Sequence, residues 1–267
     1  MINSVQAERI GSRGGLKIRR CAGGFMLKDA ARLARYGMRM ALRPRSVDIG
    51  GVRLNVPATA HGPVLASIYA EKYEGLEARE LPRLLAPGDV VVEAGSAIGF
   101  IGLICQRIVG AGNVHMIEAN ADLIPEIKKN FALNGAPDPK IHHALAAAED
   151  GPPTPFHVAD QFWSSSVIAA CATKRTDMVA SIGLNALFRK TGATVFICDI
   201  EGGEFALLPM LDLSQLRLIV IEIHEKHALP GAGAAIKKFI ADAGFYLAAE
   251  YKREVFIYRR LSPALAG

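Results

Sequence analysis

A chain of 267 residues, 51% hydrophobic and 21% charged, is long enough for one large α/β core and too short for two of ordinary size, and its apolar content argues against disorder, since it can offset the entropy of ordering. No run approaches the roughly 20 apolar residues of a membrane span, no export signal opens the chain, and Cys21, Cys105, Cys171 and Cys198 form no CxxC pair, which argues against a zinc knuckle or disulfide framework and predicts cytoplasmic residence. The net charge of +5 is uneven: residues 1–45 hold eleven Lys/Arg against Glu8 and Asp29, leaving −4 on the remainder, whereas a nucleic-acid groove needs its basic residues around the active face.

From Phe25 to Arg43 the chain reads as an amphipathic helix. Lys28, Arg32, Arg35, Arg39 and Arg43 fall on one stripe at about 100° per residue, with Met26, Ala30, Leu33, Gly37 and Met40 opposite. Such a helix suits an anionic membrane surface; the alternative is that the Met/Leu stripe packs on the body and the arginines are solvated. Val47–Ile49 and Val52–Val56 flank Gly50-Gly51, the spacing of a two-residue hairpin. This helix and hairpin, residues 1–60, form an appendage to a main domain over 61–267.

Helical stretches follow at 63–73 and 76–85, and Pro87-Gly88 breaks the chain. Then come strand 90–93, helix 98–109, strand 113–117, helix 121–134 and a strand near Ile141. Further strands are expected at 194–199 and 216–223, a helix near 234–243, and strands at 246–250 and 255–259 close enough for a hairpin. Continuous apolar strands separated by helices predict a doubly wound, Rossmann-like parallel sheet of seven strands with one antiparallel strand at its end. Glu149–Lys174, with Gly151-Pro152-Pro153 and Trp163-Ser164-Ser165-Ser166, breaks the rhythm and reads as an insertion or long loop over the active face. Trp163 and Ser165 are its candidate substrate contacts.

Chemistry concentrates at strand ends. Glu93-Ala94-Gly95-Ser96-Ala97-Ile98-Gly99 lies between a strand and a helix, where glycines admit a ligand to the backbone and expose helix N-terminal amides. Its Gly-x3-Gly spacing is not the GxGxxG of dinucleotide sites, which disfavours an oxidoreductase. Glu118 follows Glu93 by 25 residues, at the tip of the second strand, where a carboxylate can accept both ribose hydroxyls of a nucleoside.

Tyr73-Glu74 ahead of Pro87-Gly88-Asp89, the 93–99 turn, Glu118-Ala119-Asn120, Asn134-Gly135, Asp199-Ile200-Glu201-Gly202-Gly203-Glu204 and Ile221-Glu222-Ile223-His224 together resemble the FkbM family of methyltransferases over about 73–259. The family turn often reads Asp-x-Gly-Ala-Asn-x-Gly, so Glu93, Ser96 and Ala97 depart from it, and Ile197 stands where a lysine is common. The resemblance implies S-adenosylmethionine as cofactor and transfer to a hydroxyl of a sugar, glycolipid, polysaccharide or secondary metabolite. It implies cofactor contacts from Tyr73, Glu74, Glu93, Gly95, Ser96, Ala97, Ile98, Gly99, Glu118, Ala119, Asn120 and Asp199.

Methyl transfer from a sulfonium requires alignment of the acceptor and removal of its proton. Asp199 and His224, at adjacent strand ends, are the candidates for proton acceptance and acceptor orientation, with Glu201 and Glu222 positioning them; for Glu201 the alternative is capping of the next helix, and for His224 a surface role beside Glu225 and Lys226. Asp199, Glu222 and His224 are also compatible with a magnesium or manganese ion, though metal-free transfer is the expectation. An RNA methyltransferase is the rival reading, opposed by the confinement of positive charge to the arm and by the lack of an Asn/Asp-Pro-Pro-aromatic element. The non-catalytic alternative is a cofactor-fold module docked at a membrane.

Overall fold

The computed structural model describes residues 23–159, 173–227 and 229–261. It begins with helix α1 (Gly23–Leu42) and strands β1 (Ser46–Ile49) and β2 (Val52–Asn55), paired antiparallel. Gly50 and Gly51 have φ of 57° and 82°, the left-handed pair that a tight hairpin turn needs. Helices α2 (Gly62–Tyr69) and α3 (Glu77–Leu84) lead into the alternating region: β3 (Val91–Ala94), α4 (Phe100–Val109), β4 (Val114–Glu118), α5 (Ile124–Leu133) and β5 (Lys140–His143). Next are β6 (Leu145–Ala147), β7 (Gly151–Ala159), β8 (Thr173–Gly183), α6 (Leu184–Thr191) and β9 (Val195–Cys198). The short α7 (Glu204–Leu207), β10 (Leu218–Glu222), α8 (Ala232–Asp242), β11 (Phe245–Tyr251) and β12 (Val255–Arg260) complete the fold.

The main sheet has seven strands in the order β11-β12-β10-β9-β3-β4-β5, with β12 antiparallel to both neighbours and the others parallel. The expected fold class is thus the observed one. Its cause is visible in β9, where Val195 and Ile197 enter the core on one face and Phe196 and Cys198 the core on the other. A strand buried on both faces must be apolar at every position. Val47, Ile49, Val52 and Leu54 of the hairpin are at most 5% exposed and join the first of these cores. Burying side chains of this size contributes about 1.5–3 kcal/mol each, so packing holds the hairpin in place. At the end of the sheet where β3 begins, Asp89 binds Arg217, Thr194 Oγ1 and the Ala86 N–H. It ties strand starts together, away from the cavity described below.

Of the region read as an insertion or long loop, residues 151–159 and 173–174 are strand. β6, β8 and β7 form a second, three-stranded sheet in that order, with β7 at an edge. Pro152 and Pro153 sit where the β7–β8 register slips between Gly151 and Thr154, a place where residues without an N–H are tolerated; they looked like loop punctuation for the same reason. Trp163 and Ser165 lie outside the described residues.

Helix α1 also departs from expectation. Its arginine stripe turns partly inward: Arg39 Nη1 donates to the Tyr69 carbonyl (2.9 Å) and Glu71 Oε1 (2.8 Å), and Arg35 Nε to Glu71 Oε1 (3.1 Å). Tyr36 and Met40 pack against the core, while Leu33, Met38 and Leu42 are 70%, 54% and 72% exposed. The carboxylate of Glu71 after α2 supplies the guanidiniums with a partner, which a periodicity argument on α1 alone lacks. Among the described residues no helix is long and apolar enough to cross a membrane.

Candidate active site

The C-terminal ends of β3, β4, β9 and β10 converge on one cavity of about 900 Å³. Its floor is the turn after β3. Gly95 and Ser96 donate backbone N–H groups to the Ile117 carbonyl (3.0 and 3.2 Å), and Ala97 N–H donates to Glu118 Oε2 (2.8 Å). Gly95 and Gly99 have φ of 85° and 78°, and Ala97 has 45°. The position where the resembled family often carries Asn is therefore left-handed, a conformation Asn tolerates better than Ala.

Glu118 is 6% exposed. Besides the Ala97 bond, its Oε1 accepts the Asn120 N–H at 2.8 Å. Burial outweighs these bonds and raises its pKa to about 7. Each oxygen retains a second lone pair, which the paired hydroxyls of a ribose can donate to. Glu93 lies beneath the turn, 3% exposed, its pKa pushed up by burial to about 8.

Opposite, the tips of β9 and β10 assemble the second half. His224 is buried, its N–H donating to Glu204 Oε1 at 2.7 Å and its Nδ1 lying 3.3 Å from the same oxygen. Nε2 then faces Glu222 Oε1 at 3.5 Å and Asp199 Oδ1 and Glu201 Oε2 at 3.6 Å. Burial works to lower the His224 pKa, but the Glu204 hydrogen bond and the Asp199 and Glu201 carboxylates prevail and raise it to about 9; the ring is an imidazolium at neutral pH. The Asp199 pKa goes well above the usual carboxylate range, through burial first and then Glu222, Glu201 and Glu77, with His224 opposing. Asp199 Oδ1 is a buried oxygen without a hydrogen-bond partner among the described residues. Glu201 has φ of 45°, a costly conformation for a non-glycine residue and one that clusters at functional sites.

Of the residues singled out from the sequence, Tyr73, Glu74, Gly95, Ala97, Glu118 and Ala119 line the cavity, as do Asp199, Glu201 and Glu222. Ser96 and Ile98 are buried behind the turn at 3% and 0% exposure, Gly99 packs on Ile127 and Met116, and Asn120 caps the next turn through Asp122 N–H (3.1 Å). These hold the wall rather than face the cavity.

Residues 92–247 match the model of the methyltransferase FkbM domain. The chain belongs to the FkbM methyltransferase family. Solved structures it resembles include a ribosomal protein L11 methylase from Lactobacillus delbrueckii subsp. bulgaricus (15% identity, TM-score 0.43, 72% of this chain and 80% of that one covered). A precorrin-6y C5,15-methyltransferase from Geobacter metallireducens is similar to the same degree (15%, 0.42, 70% and 87%). A third is a magnesium protoporphyrin IX methyltransferase from Synechocystis with bound S-adenosylmethionine (15%, 0.40, 70% and 77%). No curated protein sequence matches the chain.

The enzyme is thus a methyltransferase that uses S-adenosylmethionine. The cavity fits that molecule: Gly95 and Ala97 of the turn line it, Glu118 keeps lone pairs that a ribose can use, and Tyr73 and Glu74 line the same space. Two residues of this FkbM methyltransferase escaped the sequence reading. Glu204, fully buried, fixes His224, and its Oε2 also accepts the Gly202 N–H at 2.8 Å. The only signal was a second carboxylate three residues after Glu201. Glu77, in the first turn of α3, lines the cavity from a distant part of the chain. Asp199, Glu201 and His224 offer ligand atoms within 4.8 Å of one another, a set able to hold a divalent cation.

Proposed function

We propose that this enzyme methylates a hydroxyl oxygen, with Asp199 as proton acceptor and His224 as the group that orients the acceptor. The observation that carries this reading is the ring of Asp199, Glu201 and Glu222 around His224 Nε2, with Nδ1 held by buried Glu204. S-adenosylmethionine supplies a methyl group already activated as a sulfonium. What a neutral hydroxyl needs in addition is loss of its proton, and a carboxylate held in a partly desolvated site raises its basicity for that task. His224, charged and fixed on its Nδ1 side, directs Nε2 toward the carboxylates and the acceptor oxygen. A sugar, glycolipid or secondary metabolite hydroxyl suits the site. Transfer from carbon-13-labelled cofactor into a small-molecule extract tests this: the methyl resonance of the product is expected at a methoxy shift. An N-methyl or C-methyl shift overturns the reading.

A second reading concerns location. The exposed Met38 and Leu42 lie about 40° apart on α1, beside Arg35 of the arginine stripe, and we propose that this edge rests on a membrane surface. Deletion of residues 1–42 should then reduce co-sedimentation with anionic vesicles while leaving cofactor affinity unchanged. Equal sedimentation of the two proteins removes this reading.

A further inference from the structure

A groove opens between α1 and α2. Tyr36 and Met40 share one side of α1 and pack against the core. Leu33, one turn earlier on that same side, is nonetheless 70% exposed, because it stands over a groove of about 540 Å³ that it lines with Arg32 and Tyr36 opposite Ala66 and Ala70 of α2. The groove follows from the sequence of α2: Val64, Leu65, Ile68 and Tyr69 are buried on its other side, and the alanines that face α1 are too small to fill the space between. Its volume falls within the range of about 300–1,000 Å³ usual for ligand sites.

Two residues join this groove to the active-site cavity, since Ser67 and Lys72 line both. Ser67 Oγ donates to the Val64 carbonyl of its own helix (2.8 Å), so the hydroxyl makes no polar demand at the junction. Charge there has one sign. The described lining of the groove includes Arg32 and Lys72 and no carboxylate, and the neighbouring Glu71 is taken up by Arg35 (3.1 Å) and Arg39 (2.8 Å).

We infer that the groove seats the hydrocarbon chain of the acceptor, a lipid whose hydroxylated headgroup reaches Asp199 and whose phosphate link lies at the junction beside Lys72 and Arg32. This rests on the hydroxyl reading above and narrows its substrate class. A chain laid over Leu33, Tyr36 and the two alanines removes their apolar surface from water, and a phosphate at the junction meets an ammonium and a guanidinium, its strongest hydrogen-bond donors.

The test uses the full-length enzyme, carbon-13-methyl S-adenosylmethionine and a whole-cell extract partitioned between chloroform–methanol and water. The methoxy label is expected in the organic phase, on a product that an anion exchanger retains. A methoxy label confined to the aqueous phase, or on a lipid that passes the exchanger, overturns the proposal and leaves the hydroxyl reading standing; an anionic lipid labelled on nitrogen does the reverse. With a short-chain form of the acceptor, kept below its micelle concentration so that no membrane takes part, Leu33→Ser is expected to raise KM about tenfold through the lost apolar contact, with kcat and cofactor affinity held and turnover of the deacylated headgroup unchanged. Lys72→Gln is expected to raise KM about fivefold, and less in high salt. An unchanged KM in Leu33→Ser, or an equal effect on the deacylated headgroup, overturns the chain site. A Leu33→Ser chain that instead shifts in melting temperature or in monomer–dimer equilibrium, with KM unchanged, assigns the groove to residues 1–22 or to a second copy and overturns it as well.

Discussion

Asp199→Ala is expected to lower kcat by about three orders of magnitude, the middle of the range for losing a general base, while S-adenosylmethionine binds within a few fold of wild type. The separation follows from the way Asp199 is held. Its backbone belongs to the cofactor floor, with its N–H bonded to the Ala94 carbonyl at 2.9 Å, and alanine keeps that bond. Its side chain belongs to the carboxylate ring around His224. Removing one of several mutually repelling carboxylates does not strip a buried charge of its partner, because Glu204 still holds the imidazolium. The variant should therefore fold as well as the parent, and calorimetric titration with the cofactor beside single-turnover kinetics reads the two effects apart. Turnover within threefold of wild type would end the assignment of Asp199 as base.

The second large effect is expected at Gly95. A methyl group there would overlap the backbone carbonyl oxygen of Asp199, and the φ of 85° adds strain for any side chain. Left-handed strain costs about 1–2 kcal/mol and overpacking about 1–3 kcal/mol more, and the overlapping atom is main chain, which cannot swing aside. Gly95→Ala should thus lower stability by about 2–5 kcal/mol and spread the β3 and β9 tips, weakening cofactor binding at least a hundredfold. Gly192→Ala is the matched control: φ is 70°, but nothing lies within 4 Å of the added atom, so a loss of about 1 kcal/mol with normal cofactor binding is expected. Chemical denaturation and cofactor titration of the two variants decide the matter, and equal behaviour would show that the close approach of β9 over Gly95 does not matter.

What could be read before the fold was known is what short-range chemistry encodes. Runs such as Val195–Cys198 are apolar at every position because both faces are covered, so the doubly wound sheet is legible in them, as is the β11–β12 hairpin in its short connection. Gly95, Gly99 and Glu118 are legible for a similar reason: a turn that admits a ligand to the backbone, and a carboxylate at the next strand tip, are local demands. β7 hid because prolines at an edge strand resemble prolines in a loop, and α1 was misread because helical periodicity reports which residues share a face but not which face meets the protein. Only when the chain closes do Arg35 and Arg39 find Glu71.

The active site divides along the same line. Asp199, Glu201, Glu222 and His224 stand out as polar residues at the ends of apolar strands, so their candidacy is a property of the sequence. Their charge states are not. The His224 imidazolium depends on Glu204, twenty residues earlier and beneath it, and the acidity of the cavity depends on Glu77 and Glu254 arriving from distant parts of the chain. Electrostatic energy falls with distance in space and takes no account of separation along the chain. Residue types and strand ends are therefore enough to nominate the site residues, and only the packed arrangement of carboxylates decides which group holds a proton.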